Sequence, residues 1–161
     1  DNYLHLTGVH TNLDAATFFK KCYNGTLQES EFGFCKKGKS EKEVKGSVRR
    51  KINSLPFIIG MFENVTNVEE DFSKNRIKCA LAAGNSSVTL GFVVVGKAKP
   101  MTLLKGNELD ESKAKSIDLV LRRKSGDDKF MDIILGDVGK LTEYVELLKD
   151  ELSEDLLLRV M

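Results

Sequence analysis

A chain of 161 residues with 41% hydrophobic and 30% charged residues has the size and composition of one ordinary globular domain, which excludes disordered and fibrous classes. Its formal net charge of +1 excludes the overall basic balance expected of a dedicated nucleic-acid binder. The longest apolar run, around Val93 to Val95, is broken by Gly91, Gly96 and Lys97, so the chain is not expected to span a membrane.

Asn12 and Asp14 are cap-type residues, and Phe18, Phe19, Cys22 and Tyr23 follow at helical spacing, which predicts a short helix from Asp14 to Tyr23 ended by Asn24-Gly25. The segments Phe32 to Cys35, Val44 to Ile52 and Pro56 to Phe62 then read as strands. Glu63 to Lys74 is polar and reads as a loop. Arg76 to Ala83 and Ser87 to Val95 form a hairpin across Gly84-Asn85-Ser86, and Met101 to Lys105 is a further short strand. Asn107 to Lys115 reads as a polar helix or loop.

From Ser116 the pattern is clearest. Ile117, Leu119 and Leu121 alternate with polar residues, Ser125-Gly126-Asp127 supplies a turn, and Phe130 to Leu135 resumes an apolar run, so the two runs pair as an antiparallel hairpin. Asp137 can cap a terminal helix in which Val138, Leu141, Val145, Leu148 and Leu152 share one face. The expected fold is α+β: a single antiparallel β-rich domain, a curved sheet or barrel, with a short N-terminal helix and a long C-terminal amphipathic helix. Residues 1–161 are expected to be one domain excised from a longer chain, since the sequence opens on Asp1.

This C-terminal order of strand, turn, strand and closing helix resembles the last quarter of the pleckstrin-homology-like (PH-like) superfold. The resemblance implies a seven-stranded barrel capped by the helix, with phosphate ligands on an early basic hairpin. Many members carry a Trp in the closing helix; here the nearest aromatic is Tyr144.

Acid–base or nucleophilic catalysis needs side chains that can be gathered, and the chain has only two histidines, His5 and His10. Thr11 directly follows His10, so the paired His-x-Thr motifs of two-histidine phosphoesterases are not matched. Cys22, Cys35 and Cys79 have neither zinc nor redox spacing and no local base. Gly136-Asp137-Val138-Gly139-Lys140 lacks the phosphate-loop spacing. No catalytic residue, metal ligand or cofactor is therefore expected, and the chain reads as a non-enzyme.

Charge is distributed unevenly. Lys36, Lys37, Lys39, Lys42, Lys45, Arg49, Arg50 and Lys51 face only Glu41 and Glu43 across one short stretch, whereas the chain from Asp137 onward is acidic. The leading expectation is a protein-binding scaffold or assembly domain. Its partner is another protein or a second copy, in a homo-oligomer joined through Leu152, Leu156, Leu157 and Val160. A second expectation is a phosphate-binding module that uses Lys36, Lys37, Lys39, Lys45, Arg49 and Arg50 on a basic hairpin to hold an anionic lipid such as a phosphoinositide, or a nucleic acid. A third is a secreted small-ligand-binding glycoprotein, drawn from the triplets Asn24-Gly25-Thr26, Asn64-Val65-Thr66 and Asn85-Ser86-Ser87. An intracellular location is preferred over a secreted one, because unpaired thiols suit a reducing compartment.

Overall fold

The computed structural model describes residues 3–160. Helix α1 (Tyr3–Thr7) leads into the short strand β1 (His10–Thr11), and α2 (Ala15–Tyr23) starts at Asp14, whose carboxylate accepts from the backbone N–H groups of Ala16 and Thr17. Strand β2 (Phe32–Gly33) pairs antiparallel with β1 and is followed by the long helix α3 (Glu41–Ser54). Two 3-10 turns, Leu55–Ile58 and Met61–Glu63, connect it to β3 (Asn67–Glu70). The small hairpin β4 (Ser73–Lys74) and β5 (Ile77–Lys78) precedes β6 (Leu81–Gly84), β7 (Val88–Val95) and β8 (Lys97–Lys105). Strands β9 (Lys115–Ser116), β10 (Val120–Arg122) and β11 (Asp132–Leu135) lead to α4 (Val138–Leu148) and α5 (Glu154–Val160).

The largest sheet is antiparallel and five-stranded, in the order β8-β7-β6-β3-β9. Its inner face buries Ala83, Val88, Leu90, Phe92 and Leu103 with Leu6 from α1 and Met61 and Val65 from the α3–β3 connection. Both α1 and α3 contact β8. A second, smaller cluster of Phe72, Cys79, Ala82 and Leu109 fills another part of the molecule. There Gly91 leaves room for the thiol: a Cβ at that position would come within 2.5 Å of Cys79 Sγ.

The α+β class with antiparallel strands and a C-terminal helix is what the structure has. The hairpin across Gly84-Asn85-Ser86 forms as expected, with Gly84 opposite Thr89. So does the later one, in which Leu121 pairs with Ile133. No seven-stranded barrel forms among the described residues, because β10 and β11 pair only with each other. Accordingly α4 and α5, the two helices into which the expected long terminal helix is broken after Leu148, close over that two-stranded hairpin, burying Leu141, Leu152 and Leu156 with Leu119, Leu121, Phe130 and Ile133.

Three expectations are corrected. Val44 to Ile52 is a helix: Val44, Val48 and Ile52 are four apart, a spacing compatible with either period, and the capping box of Ser40 and Glu43 decides for the helix. Pro56 to Phe62 is not extended either, since Pro56 opens a 3-10 turn and Gly60 adopts φ 69°. Glu63 to Lys74 holds β3 and β4 rather than only loop. Strand β3 is an interior strand, paired with β6 and β9, and its Glu69, which looks like a solvated acid, is buried and accepts from the Asp110 N–H at 2.8 Å.

Candidate active site

The basic stretch begins as a loop and ends as a helix. After β2, Lys36, Lys37 and Lys39 surround Gly38, which turns the chain at φ 76°, with the Lys39 N–H bonded to the Lys36 carbonyl at 3.1 Å. Ser40 then caps α3, accepting from the Glu43 N–H, while the Glu43 carboxylate accepts from the Ser40 N–H and hydroxyl; these bonds hold the Glu43 carboxyl below its usual range. Val44 and Val48 are 4% exposed, so the opposite face of α3 displays its cations.

Tertiary pairing brings the N-terminal segment onto this loop. His10 in β1 sits opposite Gly33 in β2, and the Thr11 hydroxyl donates to the Glu31 carbonyl at 2.6 Å. The result is an open pocket of about 790 Å³ lined by His10, Gly33, Phe34, Cys35, Lys36, Lys37, Lys39 and Glu41. An imidazole, a carboxylate and three ammonium groups thus share one wall of the molecule. Glu41 also pairs with Lys45 at 2.7 Å, and the Lys45 ammonium stands 5.3 Å above the Phe34 ring.

Lys51, near the far end of α3, ties the same region to α1. Its Nζ donates to the His5 carbonyl at 3.0 Å. Gly8 suits this turn, where φ is 73° and a Cβ would lie 3.1 Å from the flexible Lys51 side chain at Cδ. Partial burial pushes the Lys51 ammonium below its usual value, and the charge of Lys36 pushes the same way. His5 and His10 are both exposed and flank the Gly8 turn.

Of the six cations singled out from sequence, Lys36, Lys37 and Lys39 line the pocket, Lys45 braces its edge, and Arg49 and Arg50 stand exposed along α3. In place of the expected basic hairpin, helix α3 and its preceding loop carry them. Sequence reasoning considered His10 only with His5, and Glu41 only as a counter-charge to the lysines. Only the β1–β2 pairing connects them, and no local motif announces a two-residue strand. The other expected site dissolves: Leu152 and Leu156 are 2% and 0% exposed inside the chain's own C-terminal cluster, with Leu157 and Val160 packed against it. No disulfide joins Cys22 to Cys35; both are free thiols, as is buried Cys79. Among the described residues no group of three or more His, Cys, Asp or Glu side chains is arranged to hold a metal ion, and no helix is long and apolar enough to cross a membrane.

A family model, PBECR4, described as phage-Barnase-EndoU-ColicinE5/D-RelE like nuclease4, matches residues 1–138. Neither the curated proteins nor the solved structures contain a match to the chain. The matched span runs from α1 through β11 and stops where α4 begins. The chain belongs to this nuclease family. That overturns the expectation of a non-enzymatic scaffold or self-associating assembly domain, and the family is compatible with the nucleic-acid partner expected as an alternative.

Proposed function

We propose that this member of the nuclease family cleaves RNA in the basic pocket between β1, the loop after β2, and the start of α3. The observation that carries the proposal is the meeting of His10, Glu41, Lys36, Lys37 and Lys39 in one open pocket. Glu41 and His10, both lining this pocket, supply a proton acceptor and a proton donor, and RNA carries its own nucleophile, the 2′-hydroxyl. DNA lacks that group.

In this mechanism Glu41, which pairs with Lys45, takes the proton from the 2′-hydroxyl. The 2′-oxygen attacks the adjacent phosphorus, forming a cyclic 2′,3′-phosphate as the bond to the 5′-oxygen breaks. His10 delivers a proton to that leaving oxygen. Lys36, Lys37 and Lys39 neutralise the phosphate in the ground state and the additional negative charge on its oxygens in the transition state. Lys51 is a positioning residue: through the His5 carbonyl it fixes α1, and with it the Gly8 turn that feeds β1.

The test is cleavage of a single-stranded RNA beside the same sequence as DNA and as RNA with one 2′-deoxy nucleotide. Cleavage of RNA with release of a cyclic phosphate, and protection at the deoxy position, is the expected result. Equal cleavage of the DNA strand would exclude the 2′-hydroxyl route.

A further inference from the structure

Helix α2 turns toward solvent a row of aromatic rings that the cleavage reaction leaves unused. Ala16, Phe19, Lys20 and Tyr23 are its exposed residues, and their spacing of three and four places them on one stripe of the helix. The stripe holds two rings and a lysine, and α2 contains no acidic residue. Its neighbour Phe18 does the packing: Phe18 is 2% exposed, whereas Phe19 is 48% and Tyr23 82% exposed.

The exposed rings are ordered against each other. Phe19 and Tyr23 stack with centroids 6.2 Å apart and planes 25° from parallel. Tyr3 of α1 meets Phe19 edge-on, at 5.2 Å and 84°, and touches buried Phe18 at 6.1 Å. That edge contact anchors the Phe19 ring, which in turn supports Tyr23. The row therefore ends on a ring whose surface is almost wholly open to solvent.

Helix α2 is also clamped to the strands that carry the pocket. Lys21 pairs with the Glu31 carboxylate, and the Glu31 carbonyl accepts from the Thr11 hydroxyl, one residue beyond His10. At 3.6 residues per turn Lys21 lies about 200° round the helix from Phe19, so the clamp leaves the aromatic stripe free. The helix is about 13 Å long at 1.5 Å per residue and is separated from β1 by three residues. The rings thus stand within a few nucleotides of the pocket.

Resting on the nuclease reading, we infer that Phe19 and Tyr23 form a stacking platform for unpaired bases of the substrate strand beside the cleavage site, with Lys20 against its phosphates. Every base has a π-face, so such a platform holds a single strand without reading its sequence. A duplex keeps its bases stacked inside and offers no free face. Charge favours this occupant: the one charge on the stripe is positive, and it continues the sign of Lys36, Lys37 and Lys39 in the pocket.

The experiment measures binding of the intact chain to a single-stranded 2′-O-methyl oligonucleotide, whose blocked 2′-oxygen prevents cleavage by the 2′-hydroxyl route. Tyr23→Leu keeps an apolar side chain and removes the ring; Tyr23→Phe keeps the ring. Tyr23→Leu should lose about 5- to 150-fold in affinity, the worth of one base stack, with the salt slope unchanged because no charge is removed, and Tyr23→Phe should bind as wild type does. A series of oligonucleotides, each lacking one base, should contain a position where the missing base weakens wild type by the same factor and leaves Tyr23→Leu unaffected. Exchanging the base there should matter far less than removing it. Full affinity in Tyr23→Leu would overturn the platform and leave the stripe to a protein partner, as would base-removal losses identical in wild type and variant at every position. Cleavage of the all-RNA strand separates the two readings. If wild type cleaves RNA and Tyr23→Leu does so with an unchanged KM, the platform falls and the nuclease stands; ring-dependent binding without cleavage by wild type does the reverse.

Discussion

The N-terminal and C-terminal parts of this molecule spend their residues in opposite ways. From α1 to α3 the buried side chains, among them Leu6, Phe18, Val44 and Val48, are scattered over three helices, and the charged ones surround a pocket that gathers groups as far apart as His10 and Glu41. From β10 to α5, leucines seal one another: Leu141, Leu152 and Leu156 sit inside a cluster built from β10, β11 and the two terminal helices. The first region matches the nuclease family and is basic; most of the second, beyond residue 138, lies outside the match and is acidic. The contrast teaches that hydrophobic density in a sequence marks where a chain holds itself together, while its chemistry can lie where the pattern looks weakest.

The largest expected effect belongs to the N-terminal region. His10→Gln and Glu41→Gln should each lower the RNA cleavage rate by about 10²–10⁴-fold, the range for losing a general acid or base, with the thermal unfolding midpoint little changed because both residues are exposed. A variant of either residue that cleaves at the wild-type rate would remove it from the reaction.

Leu156→Ala should do the opposite, costing about 2–5 kcal/mol of stability by leaving a cavity among Leu141, Leu152 and the β10–β11 hairpin. Denaturant titration measures this, and below the unfolding transition the folded variant should still cleave RNA. If Leu156→Ala abolished cleavage while remaining folded, the two regions would not be as separate as described.

Replacing Lys36, Lys37 and Lys39 by Gln together should weaken RNA binding and reduce the slope of log affinity against log salt by about 2, at roughly 0.7 for each phosphate no longer neutralised on a single strand. An unchanged slope would mean that these lysines stand clear of the phosphates.

The smallest effect is electrostatic. The Lys51 ammonium has a folded-state value below its ordinary 10.5, so between those two values the unfolded chain binds more protons and stability rises with pH. Below the folded value the charge penalty is fully present. The stability of wild type relative to Lys51→Met should therefore improve as pH climbs toward 10.5, read from denaturant midpoints; a flat difference would mean that Lys51 is solvated like any surface lysine.

Much of the C-terminal architecture was legible from the residues. Alternation at Ile117, Leu119 and Leu121, the Ser125-Gly126-Asp127 turn and the Asp137 cap are local signals, and local signals survive folding. Helix α3 was misread as a strand, because the spacing of Val44, Val48 and Ile52 also suits a strand and the capping box of Ser40 and Glu43 went unread. The candidate pocket was not legible in this way. Its lysines stood out as a charge run, yet their meaning depended on His10, which reaches them through a pairing between two-residue strands.

By itself, then, the amino-acid sequence determined the element types wherever period, cap and turn residues agreed, and it determined that the chain would have a basic and an acidic end. Tertiary structure alone decided that β10 and β11 stand apart from the main sheet, that the terminal leucines face inward, and that His10, Glu41 and the lysines share a pocket. The physical reason is that caps and turns are satisfied by neighbours within four residues, whereas the site is assembled from contacts such as that between Lys51 and His5, 46 residues apart, whose partners no local pattern can name.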